Sequence, residues 1–520
     1  MKVIYTTCYA DPWIKVAKKL RDDYGYEPVY WNGYEDDDSE KIIQKYFPDA
    51  IYHPYYDAWK GNFPPVIDHR FSESYIDIDF LKENAEFELQ AIKMMDRMDA
   101  DRHSFNFMER QRHFRNFLKY WTGCINHFQP EVVISAAVPH RVYDYALYLL
   151  CKFRSIDFIA FQGTPFTYYS LPVIKLSTIG EIFDVEYSGT LKSDRSVDEI
   201  RQQVSPDIYS YYENIKKNYT EGRPSYVPQE EIKDKKYRGV IGLFKKLIFD
   251  MTGPDKKRYL GRNGYLMKGI PTYQKEKNKN IENSHHSLVR YALLKVKTNK
   301  YKKKLKRYYN SRVVEPKLNE LYVILNLHYQ PEATTSPSGD VFVDQMLCVE
   351  MLLKHLPDNY LIYVKEHPAQ FQSHREGHTY RFWEFYSDFL RSSRVRLMPL
   401  QYDPYILIKN AKAVASVAGT AGWEAMALGK PVICFGMVWY EKYDGVLKIV
   451  DESSASRINE FIENFRFDER NLMAYLAAFS KKAVKAYYYR GLKQIMNQPE
   501  EECVCNIANA IIHATKHSSK

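Results

Sequence analysis

One stretch constrains this chain more than any other: "AVASVAGTAGWEAMALGKPVICFG", residues 413–436. An apolar run ends in Gly, Thr, Ala and Gly. A run holding a single acid, Glu424, follows, and Gly-Lys-Pro leads into a second apolar run. The pattern reads as strand, turn, helix, strand. Two neighbouring strands joined through a helix run parallel, and parallel strands gather their C-terminal ends along one sheet edge. The small residues lie at that edge. Either they let a phosphate reach backbone N–H groups, or they only let helix and strand pack closely.

The same rhythm occupies both ends of the chain. "KVIYTTCY", "EPVYWNG", "DAIYHPY", "EVVISAA" and "DFIAFQG" read as strands, and helical patterns separate them. The first helix, "DPWIKVAKKLRDDYG", carries Asp11 as N-cap and Pro12 at its first position. From about residue 319 the strands return as "ELYVILNL", "NYLIYVKEHP", "RVRLMP", "AVASVAG" and "PVICFG". Helices are expected near 456–464, 469–490 and 500–515. Strand-helix alternation predicts an α/β fold with parallel sheets covered on both faces. The expected organisation is an N-terminal Rossmann-like domain over 1–190, a basic helical or irregular insertion over 191–316, a second Rossmann-like domain over 317–490, and a C-terminal helix over 491–520.

A chain of 520 residues exceeds one ordinary core, which agrees with that division. Its net charge of +9 concentrates in the middle, where "KVKTNKYKKKLKRYYN" predicts a solvated basic face. Beside it "RGVIGLFKKLIFDM" (238–251) has one apolar helical face, suited to docking on the protein or lying at a membrane surface. No segment approaches the ~20 apolar residues of a membrane span, and no signal peptide is visible. The expected location is therefore cytoplasmic, with peripheral contact at an anionic inner-membrane surface. The seven cysteines fit neither a zinc ribbon nor a disulfide framework, so reduced thiols are expected. His374 and His378 in "SHREGHTYR" stand four apart, but Gly377 and the polar context favour a loop. No metal site and no cofactor are expected, and no nucleic-acid-binding signature is present.

Four motifs fall at predicted strand ends. In the opening stretch, Ser416, Gly419, Thr420 and Ala421 are candidates for holding a phosphate, and Glu424 for accepting from ribose hydroxyls. "YVKEHPAQ" (363–370) ends an apolar strand in Lys365, Glu366, His367 and Pro368. Three ionisable groups there are costly unless they meet a ligand, so these four are candidates for the donor site, with His367 donating a hydrogen bond to a phosphate and Lys365 supplying charge. "NLHYQPEATT" offers His328, Gln330 and Glu332 to a cleft, and "AFQGTPF" offers Gly163 and Thr164. "VPHRVYD" follows a strand of the first domain.

"YVKEHP" together with "SVAGTAGWEAMALGKPVICFG" resembles the bacterial capsule polysaccharide synthesis family, which includes Kdo transferases, over roughly residues 320–440. More distantly it resembles bacterial sialyltransferases and polysialyltransferases of GT-B fold. The resemblance implies two Rossmann-like domains facing a cleft, metal-independent transfer, and a donor nucleotide, CMP in those relatives, held by His367-Pro368 and by Ser416 with Thr420. It also implies an acid in the N-terminal cleft. Here Gln162 stands at the comparable strand end, so the base or nucleophile is left among His140, Asp144, Gln162, Asp11 and Glu131. The function implied is transfer of a sugar from a nucleotide-activated donor, a CMP-linked 2-keto sugar acid among them, to a capsule or other surface glycan. The alternatives are a glycerophosphotransferase or nucleotide-sugar epimerase on the same scaffold, and a non-catalytic polyanion-binding protein.

Overall fold

The computed structural model describes residues 1–8, 10–33, 37–64, 75–99, 105–217, 288–488 and 498–518, with isolated positions between. The 238–251 stretch lies largely outside the described residues. The chain forms two units. The described residues of the first fall within 1–176, 288–291 and 483–518, with isolated positions between, and those of the second within 177–217 and 292–482, also with isolated positions between.

In the first unit β1 (Lys2–Thr6), β2 (Glu27–Gly33), β3 (Ile51–Pro54), β4 (Val132–Ser135) and β5 (Asp157–Gly163) pair in parallel, in the order β3-β2-β1-β4-β5. β6 (Tyr169–Val173) then turns back antiparallel to β5. The second unit's sheet is parallel throughout: β7 (Tyr322–Asn326), β8 (Leu361–Lys365), β9 (Val395–Met398), β10 (Ala413–Ser416), β11 (Val432–Cys434) and β12 (Val446–Lys448). Its order is β9-β8-β7-β10-β11-β12. Both orders grow outward from the unit's first strand and then reverse, as in the Rossmann fold. The switch points lie between β1 and β4 and between β7 and β10.

The strands are apolar on both sides because helices cover both faces. In the first unit α1 (Ala10–Tyr24) packs against the chain's last helix, α7 (Glu500–Ser518), and Trp13, Val16, Leu20, Ile507 and Ile511 share one buried cluster. The Trp13 indole Nε1 donates to the Tyr488 carbonyl at 3.2 Å. Asp11 has extended backbone, φ −100° and ψ 134°, so the regular helix runs from Pro12.

Three expectations change. The helix expected over 469–490 stops at Lys482 (α6, Glu469–Lys482), because Val484–Lys485 join β6 as a further antiparallel edge strand, β13. The periodicity of "DVFVDQMLCVEMLLKHL" predicts a single helix, but the stretch is a 3₁₀ turn, Asp340–Val343, followed by a helix from Met346 to His355. The basic run is a helix, α4 (Leu288–Asn310), with only one face in solvent. Lys295, Thr298, Lys302, Leu305 and Tyr309 recur at alternating steps of three and four and are buried on the second unit. Lys302 Nζ donates to the carbonyls of Gln372 at 2.6 Å and Arg375 at 2.7 Å, and Lys295 pairs with Glu376. The outward face carries Lys297, Lys300, Lys303, Lys304 and Arg307.

Truncating Ile507 to Ala removes a fully buried side chain from the α1–α7 contact. The expected cost is about 2–5 kcal/mol, read as a lowered midpoint in urea unfolding followed by tryptophan fluorescence.

Candidate functional site

The second unit's switch point brings together the ends of β7, β8 and β10. Arg381 anchors it from below. It is fully buried, as is Glu366, and its guanidinium donates to both Glu366 oxygens, Nε at 2.6 Å and Nη2 at 3.3 Å. Nη1 donates to Gln330 Oε1 at 2.8 Å, and Nη2 also reaches the His328 carbonyl at 3.1 Å. Glu366 accepts further from the Tyr386 hydroxyl at 2.7 Å and from its neighbour, the His367 N–H, at 2.7 Å. A buried charge pair offsets its desolvation only when its remaining donors and acceptors are also met, and here they are.

Side-chain amides complete the frame. Gln345 brackets His328, accepting from its N–H at 2.7 Å and donating to its carbonyl at 3.2 Å. Gln370 does the same for Gln330, at 3.0 Å each way. Gln330 and Glu366 thus hold the frame from within, while Glu332 lies on the loop beyond. Lys365 is buried and donates Nζ to the Leu400 carbonyl at 2.9 Å, and burial pushes its pKa down to about 8.

Two histidines emerge from this frame. Burial pushes His367 down to about 4 and His328 down to about 3, so both rings are neutral at pH 7. His367 Nδ1 accepts the Ala369 N–H at 3.1 Å, which caps the 3₁₀ turn opened by Pro368. The ring proton therefore sits on Nε2. That Nε2–H has no partner among the described residues and is free to donate. His328 has the opposite tautomer: Nε2 accepts the Ala418 N–H at 3.3 Å and lies 3.3 Å from Ser416 Oγ.

The opening turn now has a physical account. Gly419 is the N-cap of α5 (Thr420–Ala427) and supplies no side-chain cap. Ser416 Oγ accepts the Gly419 N–H at 3.3 Å. Thr420 Oγ1 donates to Glu424 Oε1 at 3.2 Å instead of capping the helix. The first-turn N–H groups of Thr420, Ala421 and Gly422 thus have no side-chain partner among the described residues. The glycines themselves answer to packing. A Cβ on Gly419 would stand 2.4 Å from the His328 ring, and one on Gly422 would stand 2.2 Å from the Tyr440 hydroxyl. That hydroxyl donates to the Gly419 carbonyl at 2.6 Å. Close packing and an uncapped helix end therefore coexist in this turn. Glu424 is buried, and burial raises its pKa to about 7.

The first-unit candidates are scattered around their sheet. Glu131 precedes β4, at the strand's N-terminal end, where it accepts the Lys2 N–H at 2.9 Å. Asp11 follows β1 and lies 3.9 Å from Lys493. Gln162 and Gly163 pair with Leu171 and Ser170 across the β5–β6 hairpin, and Thr164 Oγ1 donates to the Tyr169 carbonyl at 2.8 Å within its turn. His140 and Asp144 lie beyond the C-terminal end of β4, at the start of α3 (Val142–Phe153). Burial lowers His140 to about 3 and raises Asp144 to about 7. Sequence reading missed Arg381, Tyr386, Gln345, Gln370 and Tyr440. Gln370 closes the quoted motif and Arg381 interrupts an aromatic run, and those were the available signals. Among the described residues no group of three His, Cys, Asp or Glu could hold a metal ion, and no helix is long and apolar enough to cross a membrane.

Two Rossmann-like units in one chain, the second with an uncapped helix and a free imidazole N–H at its switch point, make this a two-unit, doubly wound α/β protein. Residues 255–460 match the family described as capsule polysaccharide biosynthesis protein, and both motifs that carry the resemblance fall inside that segment. The chain is 28% identical over 117 residues to the capsule polysaccharide modification protein LipA of Neisseria meningitidis serogroup B. That alignment covers 22% of this chain and 15% of the relative, so the chain spans a small part of it. Among solved structures it is similar to the β Kdo 2,4 transferase of Thermosulfurimonas dismutans KpsC, at 11% identity over 66% of this chain and 79% of that one, TM-score 0.28. It is also similar to the UDP-GlcNAc 2-epimerase of Methanocaldococcus jannaschii, at 12% identity over 90% and 94%, TM-score 0.23. Overlaps this loose add nothing to the strand order described above.

Glu424→Gln tests the burial of the carboxyl. A carboxyl whose pKa rises on folding from 4.5 to about 7 favours the fold below pH 4.5 and loses that contribution as pH rises through 7. The variant should therefore melt progressively higher than wild type as pH goes from 4.5 to 7, with a constant difference above. Melting curves at pH 5, 7 and 8 check this.

Proposed function

We propose that the chain is a glycosyltransferase of capsule or surface-glycan synthesis, taking its sugar from a nucleotide-activated donor. One observation carries this reading: the unpaired His367 Nε2–H lies at the same switch point as the uncapped first turn of α5. A departing nucleotide leaves with negative charge on its phosphate. Backbone N–H groups at a helix N-terminus stabilise such charge, and a neutral imidazole donor adds a hydrogen bond without an ion's desolvation cost. Ser416 and Thr420 add hydroxyls, and Glu424 suits a ribose hydroxyl. A CMP-linked 2-keto sugar acid is the donor the motifs favour, with the glycan acceptor on the first unit and no resident metal or cofactor. His140 and Asp144 are the first-unit acid-base candidates we favour, because they follow the C-terminal end of a switch-point strand.

His367→Ala should weaken donor use about ten- to a hundredfold. A hydrogen bond to a charged group contributes about 1.5–3 kcal/mol, at about 1.4 kcal/mol per decade. The check is product analysis with a panel of CMP-, UDP- and GDP-sugars, beside thermal shifts with the free nucleotides. Wild type that shifts with no nucleotide sinks the transferase reading.

The outward face of α4 supports a second part of the proposal, peripheral attachment to an anionic membrane surface. Binding to vesicles containing anionic lipid should fall as salt rises, since the screening length shrinks from about 10 Å at 0.1 M to about 3 Å at 1 M. Changing Lys300, Lys303 and Lys304 to Glu should abolish it in a sedimentation assay.

A further inference from the structure

A guanidinium in the first unit is held as firmly as a buried one, yet half of it is unused. Arg141 follows β4, one of the two strands flanking that unit's switch point. Its guanidinium lies 4.3 Å over the Trp59 ring, and its Nε donates to the Tyr55 hydroxyl at 2.8 Å. Tyr55 and Trp59 stand four residues apart on α2 (Tyr55–Lys60), so one short helix after β3 supplies both supports. The backbone at this point is fixed as well. Arg97 Nη2 donates to the His140 carbonyl at 2.6 Å, and the Arg141 N–H donates to Asp144 Oδ1 at 2.7 Å. Nη1 and Nη2 of Arg141 have no hydrogen-bond partner among the described residues. Asp144 Oδ2 is buried without a hydrogen-bond partner, and its carboxyl is a charge partner of both Arg141 and Arg97.

Freezing an arginine side chain costs rotamer entropy, and a surface arginine left to solvent gains little in return. Stacking on Trp59 covers one face of the guanidinium, and Tyr55 takes its inner edge. What remains is the outer edge, two N–H vectors in the plane of the fork. That edge matches the two oxygens of a carboxylate. The start of α3, directly after Arg141, adds positive potential at the same place.

We propose that Arg141 is a carboxylate-binding residue of the first unit, and that the ligand it takes there is a sugar bearing a carboxylate. The inference rests on the glycosyltransferase reading in naming that ligand as a sugar and as the acceptor. Neither His140 nor Asp144 need be catalytic for it to hold.

The experiment is saturation-transfer NMR and calorimetry on the full chain, with glucuronate, glucose and inorganic phosphate as probes. Wild type should bind glucuronate at least tenfold more tightly than glucose. Arg141→Gln should lose that preference while remaining folded. Arg141→Lys, which keeps the charge but not the fork, should fall between them and decides the matter if the Gln variant does not fold. Equal binding of glucuronate and glucose by wild type, no binding of either, or an undiminished preference in both variants would overturn the proposal. Phosphate that displaces glucuronate at lower concentration would overturn the carboxylate assignment. Nucleotide thermal shifts on the same samples separate the two readings. A wild type that responds to no nucleotide but shows Arg141-dependent glucuronate binding loses the transferase reading and keeps this one.

Discussion

The second unit's site depends on one interaction, the ion pair between Arg381 and Glu366. Neither residue has measurable exposure, so each leaves water at a cost of several kcal/mol. The cost is offset because the guanidinium fork is filled by Glu366, Gln330 and the His328 carbonyl, and the carboxylate by Arg381, Tyr386 and a backbone N–H. The pair does more than cancel charge. It joins the chain leaving β7 to the chain leaving β8, and those two segments carry His328 and His367. Loss of either partner leaves an uncompensated charge beneath both histidines, so their placement and the stability of the unit are one property.

Around this pair the polar groups divide their work. Those turned inward are consumed: Lys365 on the Leu400 carbonyl, Gln370 on the Gln330 backbone, Lys302 on the loop after β8. Those at the edge keep a free valence, namely the His367 Nε2–H and the first-turn N–H groups of α5. Both imidazoles are neutral because burial disfavours their charged form. A neutral donor suits the leaving phosphate of the proposed transfer, which it would hold less tightly than a fixed cation would. In the first unit Arg141, on Trp59 and Tyr55, occupies the place after β4, so the two sheets carry different side chains at equivalent switch points.

Much of the architecture was legible in the chain itself. The alternation of apolar runs with helical periods located the five strands named for each half, and the parallel order follows from having helices between strands. The motif residues Lys365 to Pro368 and Ser416 to Glu424 lie at strand ends because apolar runs stop there. The edge strand Val484–Lys485 was not legible, since two residues carry no periodicity, and only the exposed edge of β6 gives them a partner. Nor was the double character of α4. Its lysines look alike in sequence, and burial of Lys295 and Lys302 depends on loop groups supplied by residues 372–376.

Fold class, the repetition of two units and the family resemblance over the second half all rest on local pattern, so the amino-acid order alone was enough for them. The task of each polar residue was settled in three dimensions. Gly419 is glycine because a histidine from another strand end leans on it, and Gly422 because Tyr440 does. Glu366 looks like a ligand-binding acid beside His367, yet Arg381, fifteen residues on, claims its carboxylate. A side chain's chemistry is set by which groups reach it within about 3 Å. In a parallel sheet those groups come from distant segments, brought together by strand order and by no pattern within either segment.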